Sequence, residues 1–397
     1  MSTDSTPFRL TRVAALDGLR GVAILTVMLF HALLYRGPRP NADFLGSGGF
    51  LGVDLFFVLS GFLITALLMQ EWQRAGDVAL GAFYARRALR LLPALFALIA
   101  TMLLVPGVFY ESARPWRDAG LAALHTTNWV MAFGGNLGLF DHTWSLTIEE
   151  QFYLLWPPLL VLLLGLRVRR AVILAVVGIG ILTPTWLRFD LWHGEPSANR
   201  LYYGLDTRFD GLLIGCLVAL LASWDLIPRS RRALATIRVA AAVSAIVLAI
   251  CVATMSEGSR LTYQGLGTLA TVATACLVLH VLYCPTRLSR LLLENRPLVW
   301  VGRISYGLYL WHFPIFRGML NPTRMGKLGI TGPALFTVRF AVAFLVAALS
   351  FWLLERPFLR MKRRFERRRA PAADVASIVG RDQPVEAAAA ASRQVPA

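Results

Sequence analysis

The feature that most constrains this chain is a recurrence of apolar runs about 20 residues long. That is the length a helix needs to cross the hydrocarbon core of a bilayer. Ten such runs fall at roughly 19–35, 50–70, 91–110, 145–165, 171–188, 203–222, 237–254, 265–283, 299–317 and 332–354. Composition agrees: 56% of the 397 residues are hydrophobic and 16% are charged, against about 25% charged in a soluble domain. The expected fold class is an all-α integral membrane protein, a bundle of about ten transmembrane helices. The first run is not a cleavable signal peptide, because Leu16-Asp17-Gly18-Leu19-Arg20-Gly21 leads straight into it and no small-residue cleavage site follows. Residues 111–143 carry two short apolar pieces, Gly120–Leu124 and Trp129–Phe133, and are expected to form a loop or re-entrant element. The expected division is a membrane domain at 1–365 and a disordered tail at 366–397, rich in Ala, Pro, Gln, Ser and Val.

The formal charge of +17 would suggest nucleic-acid binding in a soluble protein. Membrane topology explains it better, since cytoplasmic loops collect Arg and Lys. With the N-terminus inside, 26 basic residues fall on the cytoplasmic side and ten outside. Both termini are therefore expected in the cytoplasm, and no nucleic-acid partner is needed. The four cysteines, Cys216, Cys251, Cys276 and Cys284, lie in or beside apolar stretches with no C-x-x-C spacing. Neither a metal site nor a disulfide framework is indicated.

Ionisable residues inside a membrane are costly and mark functional positions. His31, Asp54, Glu149, Glu150, Asp206, Asp210 and His312 all fall four or five residues from the expected outer ends of their helices, or in the outer half. At about 1.5 Å per residue they form one layer roughly 5–10 Å below the outer surface. Histidine is the commonest general base, and a nearby carboxylate, Asp54 or Glu149, would orient His31 and steady its charged form. The competing reading is a set of polar pairs that glue helices together. Ser145, Glu149 and Phe152 share a helix face, as do Ser305, Tyr309 and His312, and Asp206 and Asp210. Thr147-x-x-Glu150 reads as a capping box, which assigns Glu149 to the site and Glu150 to structure. On the inner side, Arg86, Arg87 and Arg90 lie one helical turn apart at the mouth of the third helix. Such a cluster suits phosphate, although it also serves positive-inside anchoring. Asp17 and Arg20 are spaced as an ion pair. A phosphate-bearing carrier with a long arm could span the roughly 16 Å of helix from Arg20 to His31.

These motifs resemble membrane acyltransferase family 3, the bacterial O-acetylases of envelope sugars and several antibiotic-modifying acyltransferases. The likeness rests on Leu16-Asp17-Gly18-Leu19-Arg20-Gly21 with His31, and on Gly52-Val53-Asp54-Leu55-Phe56-Phe57-Val58-Leu59-Ser60-Gly61-Phe62. It continues through Arg86-Arg87-x-x-Arg90 with Pro93 and His142-Thr143-Trp144-Ser145-Leu146-x-x-Glu149-Glu150-Gln151-Phe152-Tyr153. It ends with Ser305-Tyr306-Gly307-Leu308-Tyr309-Leu310-Trp311-His312-x-Pro314 and Glu355-x-Pro357. The resemblance implies an acyl-CoA donor, usually acetyl-CoA, entering from the cytoplasm. It implies that Arg86, Arg87 and Arg90 hold the donor phosphates, with Arg20 on its path. It implies His31 as the base that activates an acceptor hydroxyl, and Glu149 as a second essential acid. Ser145 and Tyr309 are candidate donors to the carbonyl oxygen, and His312, Asp206 and Asp210 candidate supports. Many relatives carry a further esterase-like domain; here the membrane domain is expected to act on its acceptor directly. The expected place is the bacterial inner membrane. The expected acceptor is an envelope carbohydrate or glycolipid, with a secondary metabolite such as a macrolide as the alternative. A multi-pass transporter is the reading from a different class.

Overall fold

The computed structural model describes residues 13–37, 46–109, 114–194 and 197–361. Among these the chain is helical with no strand. The expected tail, 366–397, lies outside the described residues. The helices are α1 (Ala14–Leu34), α2 (Gly52–Ala75), α3 (Leu80–Leu104), α4 (Pro106–Phe109), α5 (Pro115–Ala123) and α6 (Thr127–Ala132). Then follow α7 (Trp144–Gly165), α8 (Arg170–Asp190), α9 (Ala198–Tyr203), α10 (Asp210–Ser223), α11 (Arg231–Thr254) and α12 (Gly267–Tyr283). The last are α13 (Arg287–Leu293), α14 (Arg296–Arg303), α15 (Ser305–Phe313), α16 (Pro322–Gly326), α17 (Gly332–Ser350) and α18 (Arg356–Met361).

Eight helical segments among the described residues are long and apolar enough to cross a membrane. Two of the ten expected spans are broken. In place of 203–222 stand α9, a turn, and α10 with only 14 residues; the turn holds Asp206 and Arg208, whose charges demand partners. In place of 299–317 stand α14, α15 and a wider π-helical turn over Pro314–Met319, where the proline interrupts regular bonding. The expected span 91–110 begins earlier, at Leu80, so Arg86, Arg87 and Arg90 are inside α3. It ends at Leu104, with Val105 leaving the helical conformation just before Pro106. Residues 115–143 form α5, α6 and a 3-10 turn over Gly138–Thr143, which enters the bundle with Phe140 fully buried.

The spans sort by what they face. The segment containing α2 is 78% buried over its apolar window, whereas α3, α8 and α11 are 22% buried. The exposed side chains of the outer helices remain apolar, as Ile179 and Leu182 on α8 and Val243 and Ile246 on α11 show, so those faces suit lipid. Association between such helices relies on close packing. Glycine permits it at two crossings. A Cβ on Gly18 of α1 would collide with the main chain at Leu293, and one on Gly302 of α14 with the main chain at Asp17. Gly61 of α2 and Gly215 of α10 play the same part against Leu212 and Val58. α1 and α2 are thereby seated at the centre, where they carry the polar residues.

Candidate active site

His31 projects from the last turn of α1, next to His312 from the last turn of α15. His312 Nδ1 lies 2.9 Å from the Leu308 carbonyl, so that nitrogen carries a proton and Nε2 presents a lone pair. His31 Nδ1 lies 3.1 Å from the Val27 carbonyl and 3.2 Å from His312 Nε2. Both neighbours accept, so His31 Nδ1 carries the proton and shares it between them. His31 Nε2 is left as the basic nitrogen. The hydrogen bonds thus assign a tautomer fit for a general base.

The rest of the pair's surroundings follow from one proline. Pro314 has no N–H to give to the carbonyl of Leu310, four residues earlier. His142 Nε2 donates to that carbonyl instead, at 3.0 Å. The same logic joins α3 to α7: Pro157 leaves the Tyr153 carbonyl free, and the Tyr84 hydroxyl donates to it at 3.0 Å. Tyr309 donates to the His142 carbonyl at 2.9 Å and lies 2.5 Å from Ser145 Oγ. Its single proton is committed, so Ser145 donates to Tyr309.

Two chambers meet here. An inner chamber of about 160 Å³ is lined by Arg20, Arg87, Arg90, Ser60, Ser145 and Glu149, among others. An outer chamber of about 110 Å³ is lined by His31, His142, Tyr35, Tyr202, Tyr203 and Glu257, among others. Val53 and Tyr309 belong to both linings.

In the inner chamber, Arg20 donates to Ser305 Oγ at 3.1 Å. Arg87 lies with its guanidinium 3.5 Å from the centre of the Tyr153 ring and 3.6 Å from Glu150. The Tyr153 hydroxyl is hydrogen-bonded to Ser60. Arg90 has no carboxylate within ion-pair distance among the described residues. In the outer chamber, burial pushes the Glu257 carboxyl up to about 7, against the pull of Tyr202 and Arg208.

The single layer of ionisable groups expected from depth is not what forms. Glu149 shares the inner chamber with the arginines rather than lying beside His31. The reason is the 3-10 turn: the crossing starts at Gly138, so Glu149 lies eleven residues in, roughly 17 Å or more. Nor, among the described residues, is a carboxylate hydrogen-bonded to His31; the neighbours on its Nδ1 are the Val27 carbonyl and His312. Asp54 lines neither chamber and pairs with Arg208 at 2.9 Å. Asp210 pairs with Arg188 at 2.7 Å, so Asp54 and Asp210 tie separate elements together, whereas Asp206 pairs at 2.5 Å with Arg200, six residues earlier, and braces the local turn after α9. Arg188 also donates to Thr268 at 2.6 Å and to the Tyr263 carbonyl at 2.9 Å. Arg86 is turned to Glu71 at 3.2 Å and lines neither chamber. The capping box is absent, since α7 starts at Trp144 and Thr147 bonds Thr127 at 2.8 Å; Glu150 faces Arg87. Asp17 sits 3.7 Å from Arg303.

Sequence reasoning named no role for His142 or Glu257. His142 stands inside a quoted motif, and its spacing to a proline elsewhere in the chain gave no local cue. Glu257 lies between two apolar runs and reads as an ordinary loop residue. Among the described residues no group of three or more His, Cys, Asp or Glu is placed to hold a metal ion.

The fold and these chambers define a polytopic helical membrane protein in which a cation-lined cavity meets an aromatic one that holds His31 and His142. Residues 13–355 match the family described as an acyltransferase domain, and the chain belongs to that family. It is 32% identical over 363 residues to the peptidoglycan O-acetyltransferase OatA of Listeria monocytogenes, covering 87% of this chain and 55% of that protein. It is 32% identical over 361 residues to the putative peptidoglycan O-acetyltransferase YrhL of Bacillus subtilis, covering 87% and 54%. It is 31% identical over 354 residues to the O-acetyltransferase OatA of Staphylococcus aureus, covering 86% and 56%. The chain thus spans about half the length of the curated relatives it matches. No solved structure matches it.

Proposed function

We propose that this protein is a membrane O-acyltransferase of the bacterial inner membrane. It moves an acyl group, acetyl by the likeness to its relatives, from acyl-CoA to a hydroxyl of an envelope carbohydrate. The observation that carries this reading is the meeting of the two chambers at Val53 and Tyr309, with His31 on one side and Arg20, Arg87 and Arg90 on the other. Arginine side chains suit a donor rich in phosphate. The relatives' printed names favour a cell-wall acceptor over a small metabolite. The arginine asymmetry supports a cytoplasmic side for both termini and for the mouth of the donor chamber.

In the proposed reaction the acceptor hydroxyl attacks the thioester carbonyl and loses its proton to His31 Nε2. The new C–O bond forms, the tetrahedral oxyanion collapses, and the C–S bond breaks. The proton passes from His31 to the departing thiolate. While His31 is charged, its Nδ1–H bond to neutral His312 tightens, so His312 serves as the positioning partner a carboxylate was expected to be. Glu149 is the second acidic residue of the proposal. It acts in the donor chamber, as the counter-charge that holds Arg20 and Arg87 in place. Ser145 and Tyr309 can donate to the oxyanion only by exchanging the bonds they now make. Asp54, Asp206 and Asp210 support the helices.

The test is acyl transfer by membranes containing the protein, with labelled acetyl-CoA and isolated cell-wall glycan. Label should enter the glycan with wild type and not with His31→Ala. Full transfer by His31→Ala would overturn the mechanism. A purified protein that consumes no thioester under any acceptor would favour the transporter reading.

A further inference from the structure

Beyond Tyr35 the outer chamber adjoins a far larger vestibule of about 850 Å³, because Tyr35 belongs to both linings. That volume lies within the range of pockets that hold small ligands. Its charges are unequal. Asp118, the carboxylate of its lining, is held by Arg117 at 3.3 Å, and Arg317 of the lining is held by Asp141 of the outer chamber at 2.6 Å, so both are already paired. Arg317 also lies over the rings of Tyr35 and Phe313, 5.7 and 5.6 Å from their centres, and is fixed at the passage toward His31.

Two further cations line the same vestibule, Arg324 and Lys327. Neither is within ion-pair distance of a carboxylate among the described residues. Arg324 is nevertheless held in place: it donates to the carbonyls of Val108 at 2.9 Å and Gly107 at 3.1 Å. A guanidinium fixed by main-chain oxygens keeps its full charge, since amide carbonyls are neutral. Asn136, Asn321 and Thr323 in the same lining offer donors and acceptors for hydroxyl groups.

We infer that this vestibule is the acceptor subsite and that it takes a polyhydroxylated ligand bearing an anionic group, which Arg324 and Lys327 receive while a hydroxyl reaches toward His31. The inference rests on the acyl-transfer reading. The anion is a carboxylate or a phosphate, which share the chemistry of charged oxygen acceptors.

The test uses the full-length protein in membranes with acetyl-CoA and three acceptors: an oligouronate, its neutral methyl ester, and the matching neutral oligosaccharide carrying a phosphate. Wild type should show a KM for an anionic acceptor about tenfold below that for the methyl ester. The preference should fade at 1 M salt, where the screening length falls to about 3 Å. In Lys327→Gln and Arg324→Gln the ratio of the two KM values should approach one, and Arg324→Lys, which keeps the charge, should restore much of it. Preference for the carboxylate or for the phosphate supports the subsite and identifies the source of the charge. Equal KM values for acid and ester in the wild type overturn the subsite alone. Transfer to none of the three acceptors, nor to isolated cell-wall glycan, overturns the acyl-transfer reading and the subsite with it.

Discussion

At the scale of single residues, proton placement is set by carbonyls. The proposed mechanism takes His31 as the base because Val27 and His312 both require the proton on Nδ1, which leaves Nε2 to accept one. His31→Ala should lower acyl transfer by at least 10²-fold, the lower end of what a general base contributes. His312 acts one bond away. A hydrogen bond to a charged group is worth about 1.5–3 kcal/mol, or roughly 10–150-fold in rate. His312→Ala should therefore lower kcat by about that factor while leaving the KM for acyl-CoA unchanged. A rise in donor KM with unchanged kcat would assign His312 to donor binding instead. In the donor chamber the arginines should differ. Arg90→Gln should raise the KM for acyl-CoA about tenfold, whereas Arg86→Gln, whose partner is Glu71, should change it less than twofold. Initial-rate measurements on membranes would separate them.

At the scale of elements, irregular turns place the chemistry. Pro314 frees the Leu310 carbonyl that fixes His142, and His142 in turn presents the carbonyl that holds Tyr309. Pro314→Ala supplies the missing N–H, so the His142 bond must compete with a helical one. Activity should drop while the protein still accumulates in the membrane, as blotting and transfer assays on one preparation would show. The pair Asp54–Arg208 joins α2 to the turn before α10, with each side chain 5% exposed. Asp54→Asn strands a buried cation and should destabilise the protein by about 3–5 kcal/mol. Replacing both residues with leucine should recover much of that loss, measured by thermal unfolding in detergent. A single variant as stable as wild type would show that the pair contributes little. Both features were only partly legible in the sequence. Pro314 was visible inside a motif, but the histidine it serves is 172 positions away. Asp54 was visible as a buried charge, and its partner was not, because pairing depends on how helices are arranged around α2.

At the scale of the whole molecule, the prediction concerns sidedness. Reporter fusions at both termini should report the cytoplasm, and in sealed right-side-out vesicles only acyl-CoA trapped inside should support modification of an external acceptor. Labelling from externally added acyl-CoA alone would reverse the orientation. Residue order alone establishes a helical membrane protein, the helices that carry its costly residues, and the family it resembles. Those properties follow from the period and length of apolar runs and from residue order, and both are local. Residue order does not determine which charges meet. Depth counted along a chain assumes that each span starts at the surface and runs regularly. The 3-10 turn at Gly138–Thr143 and the broken segments at α9–α10 and α14–α15 violate that assumption. Only the tertiary arrangement turned the expected layer into two chambers, gave Asp54 to Arg208, and set His312 rather than a carboxylate beside His31.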